Sequence, residues 1–282
     1  MSTPKENNKH LKLVEDLVLI FILLFSAQFL NQWWFLKIPL ITVLIVGQFT
    51  NYRSKFPIAF WGLAFLLVGL DFIDFYFSVA NHHFVLLYTV FLIGLSFVYP
   101  KQRSEIIKIN SSIVIAIIMF FGAVQKFFSP EFMNGNFTAL TIARGYYFKP
   151  FHWMYKQPDF VLYNEKLLNQ NANQILDPAV KQQFLMPFEG VAEFSTYFSI
   201  GIVIAELLLI WFLFIKNSVV KNIFLLLFLT GLLLTRLETG FISLISILLI
   251  AQLSPENKIF TFLYLILIGV CWSLMVSRLG LY

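Results

Sequence analysis

VAEFSTYFSIGIVIAELLLIWFLF, residues 191–214, decides the class of fold. Its 24 residues carry only two charges, Glu193 and Glu206, and a second apolar run follows at 219–235. At about 1.5 Å of rise per residue, such a stretch matches the roughly 30 Å hydrocarbon layer of a bilayer. Working outward, comparable runs lie at 11–30, 38–50, 57–79, 84–99 and 109–128 on one side, and at 239–253 and 259–277 on the other. The reading is an all-α polytopic transmembrane helical bundle of about nine spans, forming one integral membrane domain over residues 1–282.

Composition points the same way. Hydrophobic residues make up 59% of the chain and charged ones only 12%. A soluble protein needs roughly 25% charged residues to cover its surface, so this surface must face lipid. The net charge of +5 does not mark a nucleic-acid protein, because the lysines and arginines punctuate apolar runs instead of clustering on a polar face. One cysteine, Cys271, excludes an intramolecular disulfide and any multi-cysteine metal site. Walker, GxSxG and HExxH patterns are absent from the sequence.

Lysine and arginine placement predicts orientation. Lys5, Lys9, Lys12, Arg53, Lys55, Lys101, Arg103, Lys108, Lys216, Lys221 and Lys258 fall on one side of the alternating spans. The opposite short loops, near Asn31 and Ala80–His83, hold none until Lys37. The pattern predicts a cytoplasmic N-terminus, an extracytoplasmic C-terminus and a bacterial inner-membrane location.

Residues 129–190 are too polar to span and read as an extracytoplasmic helical cap between spans five and six. Ser129-Pro130-Glu131 gives an N-cap, a first-turn proline and an acid suited to the helix dipole, with Gly135 ending a short helix. Asp177-Pro178 starts another, which Pro187 stops.

Ionisable groups in apolar spans are costly and mark function. Asp71 and Asp74 share a helix face, Lys126 ends the fifth span, Glu193 opens the sixth, Glu206 lies near its middle, and Arg236 and Glu238 follow the seventh. Their predicted depth suggests an outward-facing polar pocket beneath the cap. Structural readings stand beside this one: Lys126 snorkelling to headgroups, and Arg236–Glu238 as a packing ion pair. His82, His83 and His152 do not make a ligand set, and no metal is predicted.

The run Phe120-Phe121-Gly122-Ala123-Val124-Gln125-Lys126-Phe127-Phe128-Ser129-Pro130-Glu131-Phe132-Met133-Asn134-Gly135 resembles the vitamin K-dependent gamma-glutamyl carboxylase family, including bacterial relatives with a horizontally transferred transmembrane domain. The likeness continues through Ala143-Arg144-Gly145-Tyr146-Tyr147-Phe148-Lys149-Pro150-Phe151, where many relatives carry a histidine at the position of Gly145. It fades toward residue 253. The resemblance implies a reduced naphthoquinone as cofactor and Lys126 as catalytic base; Arg144 and Arg236 would then orient an anionic group and Tyr146 and Tyr147 enclose the quinone ring. Asp71, Asp74, Glu193, Glu206 and Glu238 would be supporting acids. Membrane lipid, a quinone and a periplasmic or membrane protein are the implied partners, and nucleic acid is not. Two alternatives remain open: a non-enzymatic DoxX-like accessory subunit, and a proton-coupled transporter working through Asp71, Asp74 and Glu206.

Overall fold

The computed structural model describes residues 4–28, 33–74, 81–154, 159–170, 184–215 and 217–277. Among them the chain is all helical, with thirteen α-helices and one 3-10 segment. Four helices are long and apolar enough to cross a membrane: Arg103–Phe127, Val191–Leu213, Ser218–Arg236 and Lys258–Val276. Each coincides with a run singled out in the sequence. The chain is a membrane protein on this ground. It divides into two compact units, residues 1–118 with 239–282, and residues 119–238.

The first unit holds α1 (Pro4–Gln28), α2 (Trp34–Phe49), the single turn α3 (Tyr52–Lys55), α4 (Pro57–Asp74), α5 (Asn81–Ser96), the first part of α6 (Arg103–Phe127), α12 (Thr239–Gln252) and α13 (Lys258–Val276). At its centre is α12, packed on α1, α5 and α13, with every residue except Phe241 buried. Fourteen residues give about 21 Å, short of a bilayer's hydrocarbon thickness. Its apolar side chains are therefore covered by protein rather than lipid, the usual fate of an apolar helix of this length.

Two polar ties hold the first unit. Midway along α1, Glu15 accepts hydrogen bonds from Arg53 at 2.7 Å and from Arg103, while Asp16 accepts from Arg53 and from Gln48 at 3.1 Å. The Arg103 guanidinium also lies 3.4 Å from the centre of the Phe97 ring. Near the end of α1, Ser26 Oγ donates to Asp71 Oδ2 at 2.5 Å, and Lys37 Nζ sits 2.9 Å from Asp71 Oδ1. Neither the Lys37 nor the Asp71 side chain exceeds 1% exposure. A charge this deeply buried is tolerated only with its counter-charge in contact. Arg53 and Arg103, expected as loop cations, are thus structural fasteners, and Lys37 is interior.

The second unit holds the end of α6, α7 (Pro130–Met133), α8 (Asn136–Ala143), the 3-10 segment Lys149–Met154, α9 (Phe160–Gln170), α10 (Val191–Leu213) and α11 (Ser218–Arg236). Ser129 caps α7 by accepting from the Phe132 amide, with Pro130 at the first position, as the sequence predicts. Gly135 then takes φ 80° and presses on α10 so closely that a Cβ would stand 2.5 Å from the Thr196 amide nitrogen. From there α8 runs beside α10. The Asn134 carbonyl accepts from Thr196 at 2.9 Å, Thr138 and Ser199 hydroxyls meet at 2.6 Å, and Phe132 packs with Val203. Residues 130–143 therefore flank the first half of α10, a helix long enough to span.

The rest of this connection is pinned by side chains. Asn164, fully buried on α9, donates to the carbonyls of Ala143 and Leu185 and accepts from the Leu185 amide, all within 2.9 Å. Gly145, at φ 73°, fits between Val161 and His152, where a Cβ would come within 2.5 and 3.1 Å. The helix start expected at Asp177-Pro178 lies outside the described residues.

Candidate functional site

Three elements of the second unit converge on α10. Its buried stripe, Val191, Ser195, Ser199 and Val203, repeats at four-residue spacing and carries on to Glu206. Lys126, in the last turn of α6, reaches that stripe: Nζ lies 2.5 Å from Glu206 Oε1. The side chains are 22% and 12% exposed respectively, and Glu206 Oε2 is buried with no hydrogen-bond partner among the described residues. Beneath the pair, Ala123, Phe132 and Val203 form an apolar floor, with the Phe132 ring centre 6.0 Å from Nζ. Glu206 stands fifteen residues beyond Val191, about 22 Å along the helix axis.

Toward the start of α10 the walls turn aromatic. Phe194 and Phe198 stack at 5.4 Å, Tyr147 meets Phe198 edge-on at 5.9 Å, and Phe148 touches both Phe194 and Phe198. The Phe148 amide N–H donates a 2.7 Å hydrogen bond to the Thr235 carbonyl and ties this nest to the end of α11. Both strands of the junction are turned sharply, with Phe148 at φ 58° and Leu237 at φ 52°. There Arg236 pairs with Glu238 at 2.8 Å and lies over the Tyr147 ring at 5.3 Å.

The two ion pairs, Lys126–Glu206 and Arg236–Glu238, both lie in the second unit. Tyr147 lies beside the second of them. Burial pushes its hydroxyl pKa up, Arg236 opposes that rise, and Glu238 and Glu206 add to it. The Tyr147 hydroxyl is buried without a hydrogen-bond partner among the described residues. It is a neutral donor held among charges.

So the structure pairs Lys126 with Glu206, and Arg236 with Glu238 beside Tyr147. It does not bring in the others. Arg144 and Tyr146 are exposed and pair with each other, guanidinium over ring at 5.0 Å. Glu193 is exposed at the rim of a small cavity, about 210 Å³, shared with Asn134, Asn136 and Thr196. Asp71 is bound to Lys37 and Ser26 within the first unit. The Asp74 side chain lies outside the described residues. Among the described residues no three histidine, cysteine or acidic side chains converge as a metal site would need. Two acids that the span analysis passed over, Glu15 and Asp16, proved to be paired. Their signal was visible as adjacent carboxylates at the head of an apolar run.

Comparison with family models, with curated proteins and with solved structures gave no match.

Proposed function

We propose that the chain is a carboxylase-like integral membrane protein that binds a reduced, lipid-soluble quinone against the Lys126–Glu206 pair. One observation carries this reading: an ion pair set into apolar helices, with one carboxylate oxygen buried and without a hydrogen-bond partner among the described residues. An ionised carboxylate only accepts hydrogen bonds. The unmet need at Oε2 is therefore a donor, and a phenolic hydroxyl supplies one. The Phe132 ring, 6.0 Å from Lys126 Nζ, and its neighbours Ala123 and Val203 suit the face of a flat ring, and the neighbouring apolar surface suits an isoprenoid tail.

A reduced quinone bound there would present a phenolic hydroxyl to this pair as a proton donor. The chain's own part is to receive that proton and stabilise the negative charge left behind. Glu206 Oε2 would face the hydroxyl, Lys126 would act as the base once its own proton has passed to Glu206 across their short contact, and Arg236 would add a positive charge for the oxyanion. Tyr147 orients by donation. In this reading Arg144 and Tyr146 serve as an interfacial anchor and Glu193 lines an adjoining polar cavity.

The same reading places residues 129–190 on the extracytoplasmic side of a nine-span bundle in a bacterial inner membrane, N-terminus in the cytoplasm. Mass spectrometry of lipid extracted from the purified chain tests the ligand. A quinone that co-purifies with the wild type and is lost from Glu206→Gln supports the reading; its absence from both overturns it.

Proton-coupled transport is a second reading, favoured by the separate Lys37–Asp71 pair buried in the first unit. Proton uptake into liposomes holding the chain, abolished by Asp71→Asn, would favour it over the first.

A further inference from the structure

We propose that the cavity between α8 and α10 holds the primary ammonium of a phospholipid headgroup, with Glu193 as its counter-charge. The inference stands apart from the quinone reading, because Glu193 lies thirteen residues before Glu206, about 20 Å along α10.

Small residues make the space. Gly135, Ala139 and Ala192 line the cavity, and Gly135 brings its backbone against that of α10 at Ser195 and Thr196. The volume is about 210 Å³, against the roughly 10–15 Å³ that seats one water. Asn134, Asn136, Glu193 and Thr196 supply the polar lining, and no lysine or arginine contributes to it.

The hydrogen bonds made there leave acceptors over. Thr196 Oγ directs its one proton to the Asn134 and Ala192 carbonyls, at 2.9 and 3.1 Å, so its lone pairs are left to accept. Asn136 Nδ2 donates to Glu131 Oε2 at 3.3 Å, which leaves Asn136 Oδ1 as an acceptor. The Glu193 carboxylate can only accept. Neither Glu131 nor Glu193 belongs to an ion pair among the described residues. The lining therefore asks for positive charge and for several N–H groups at once. A primary ammonium brings both, with three protons to donate. A quaternary ammonium brings the charge alone, and an anion is repelled by both carboxylates. One side-chain donor remains, Asn134 Nδ2, whose Oδ1 accepts from the Asn136 amide at 3.1 Å. It suits a phosphate oxygen two carbons away from the ammonium.

Depth identifies the source of the amine. Glu193 is the third residue of a helix long enough to span, so the cavity opens at the level of lipid headgroups. Tyr197, one turn beyond Glu193, is 77% exposed, and Phe137 beside Asn136 is exposed as well. Aromatic rings at that level are the mark of a membrane interface.

The test uses the purified full-length chain in detergent, with native mass spectrometry of its complexes with dioleoyl phosphatidylethanolamine and dioleoyl phosphatidylcholine. The two lipids differ only in the methylation of the headgroup nitrogen. Wild type is expected to bind the ethanolamine lipid roughly tenfold more tightly or better. Glu193→Gln removes the charge at an exposed position and should bring the two affinities to within about twofold, with Tm unchanged. Ala192→Leu, also at an exposed position, fills the cavity while keeping the carboxylate and should have the same effect. Equal affinity of wild type for the two lipids overturns the proposal, as does a preference that survives either variant. Free ethanolamine in excess should leave the lipid bound. Its displacement of the lipid would assign the cavity to dissolved amines and overturn the headgroup as ligand.

Discussion

Lys126 Nζ meets Glu206 Oε1 at 2.5 Å although the lysine ends its helix and the glutamate lies fifteen residues inside its own. The α6 helix therefore stops deep beside α10, and the chain returns along α10 through α7 and α8. A lysine at a helix end commonly snorkels to the headgroups. This one is instead engaged with a buried acid.

Breaking the pair separates its structural from its chemical worth. Lys126→Met should lower stability by roughly 2–4 kcal/mol, because it strands a mostly buried carboxylate. The double variant Lys126→Met/Glu206→Gln should regain most of that loss. Lys126→Arg should keep the pair and the Tm but abolish quinol-dependent turnover, since a guanidinium does not serve as a base. Thermal denaturation of the four proteins, with a turnover assay on Lys126→Arg, checks this. Full activity in Lys126→Arg would end the catalytic role of Lys126.

The Lys37–Asp71 pair is more deeply buried, and its rupture should cost more. Lys37→Met is expected to destabilise by about 3–5 kcal/mol, with Lys37→Met/Asp71→Asn recovering at least half. Equal Tm values for the single and double variants would show that the charges do not depend on each other.

Two glycines at positive φ should respond differently to alanine. At Gly145 the clash is with the Val161 side chain, so Val161→Ala in the same chain should restore part of the loss. At Gly135 the clash is with the α10 backbone at Ser195 and Thr196, which no side-chain change relieves. Both single variants should lose about 2 kcal/mol or more. Yield and Tm of the three chains decide it.

His152 gives the connection between α6 and α10 a pH dependence. Burial holds its pKa below the ordinary histidine value and nearby Lys149 adds to that, while its bond to the Tyr147 carbonyl partly offsets both. The unfolded chain then binds the proton more readily than the folded one. Its contribution to stability is complete above about pH 6.5 and is lost as pH falls from there through the lower folded value. Tm measured from pH 8 down to pH 5 should fall more for wild type than for His152→Gln. Parallel curves would assign the acid sensitivity elsewhere.

Orientation is tested by single cysteines in a Cys271→Ala background. Ser104 and Glu165 are both exposed and suit labelling, whereas the neighbouring Asn164 is buried and does not. An impermeant maleimide added to whole cells with a permeabilised outer membrane should label Glu165→Cys and spare Ser104→Cys. The reverse pattern would invert the topology.

Hydropathy made the long helices legible, because a helix facing lipid announces itself by composition alone. The run expected at 191–214 is α10 at Val191–Leu213, and that at 259–277 is α13 at Lys258–Val276. The Ser-Pro-Glu start of α7 was equally readable, since capping is a local matter. Partnership was not. Lys37 sits 34 positions from Asp71, and Glu15 is 88 from Arg103; no local period relates them. The need for glycine at position 145 emerged only with Val161 and His152 packed around it. Tyr146 and Tyr147 are adjacent in sequence and looked equivalent. A turn sends one to the surface and the other into the aromatic nest.

The burial of α12 sets a timetable for making this protein. Its neighbours α1 and α5 emerge from the ribosome early, but the helix that fills the space between them follows only after residues 119–238 have been synthesised. At about 5–20 residues per second that interval is roughly 6–24 s. Throughout it, the apolar flanks destined for α12 must be shielded by lipid or by the insertion machinery. A nascent chain halted before residue 239 should therefore be a better substrate for membrane quality-control proteases than one halted after residue 277.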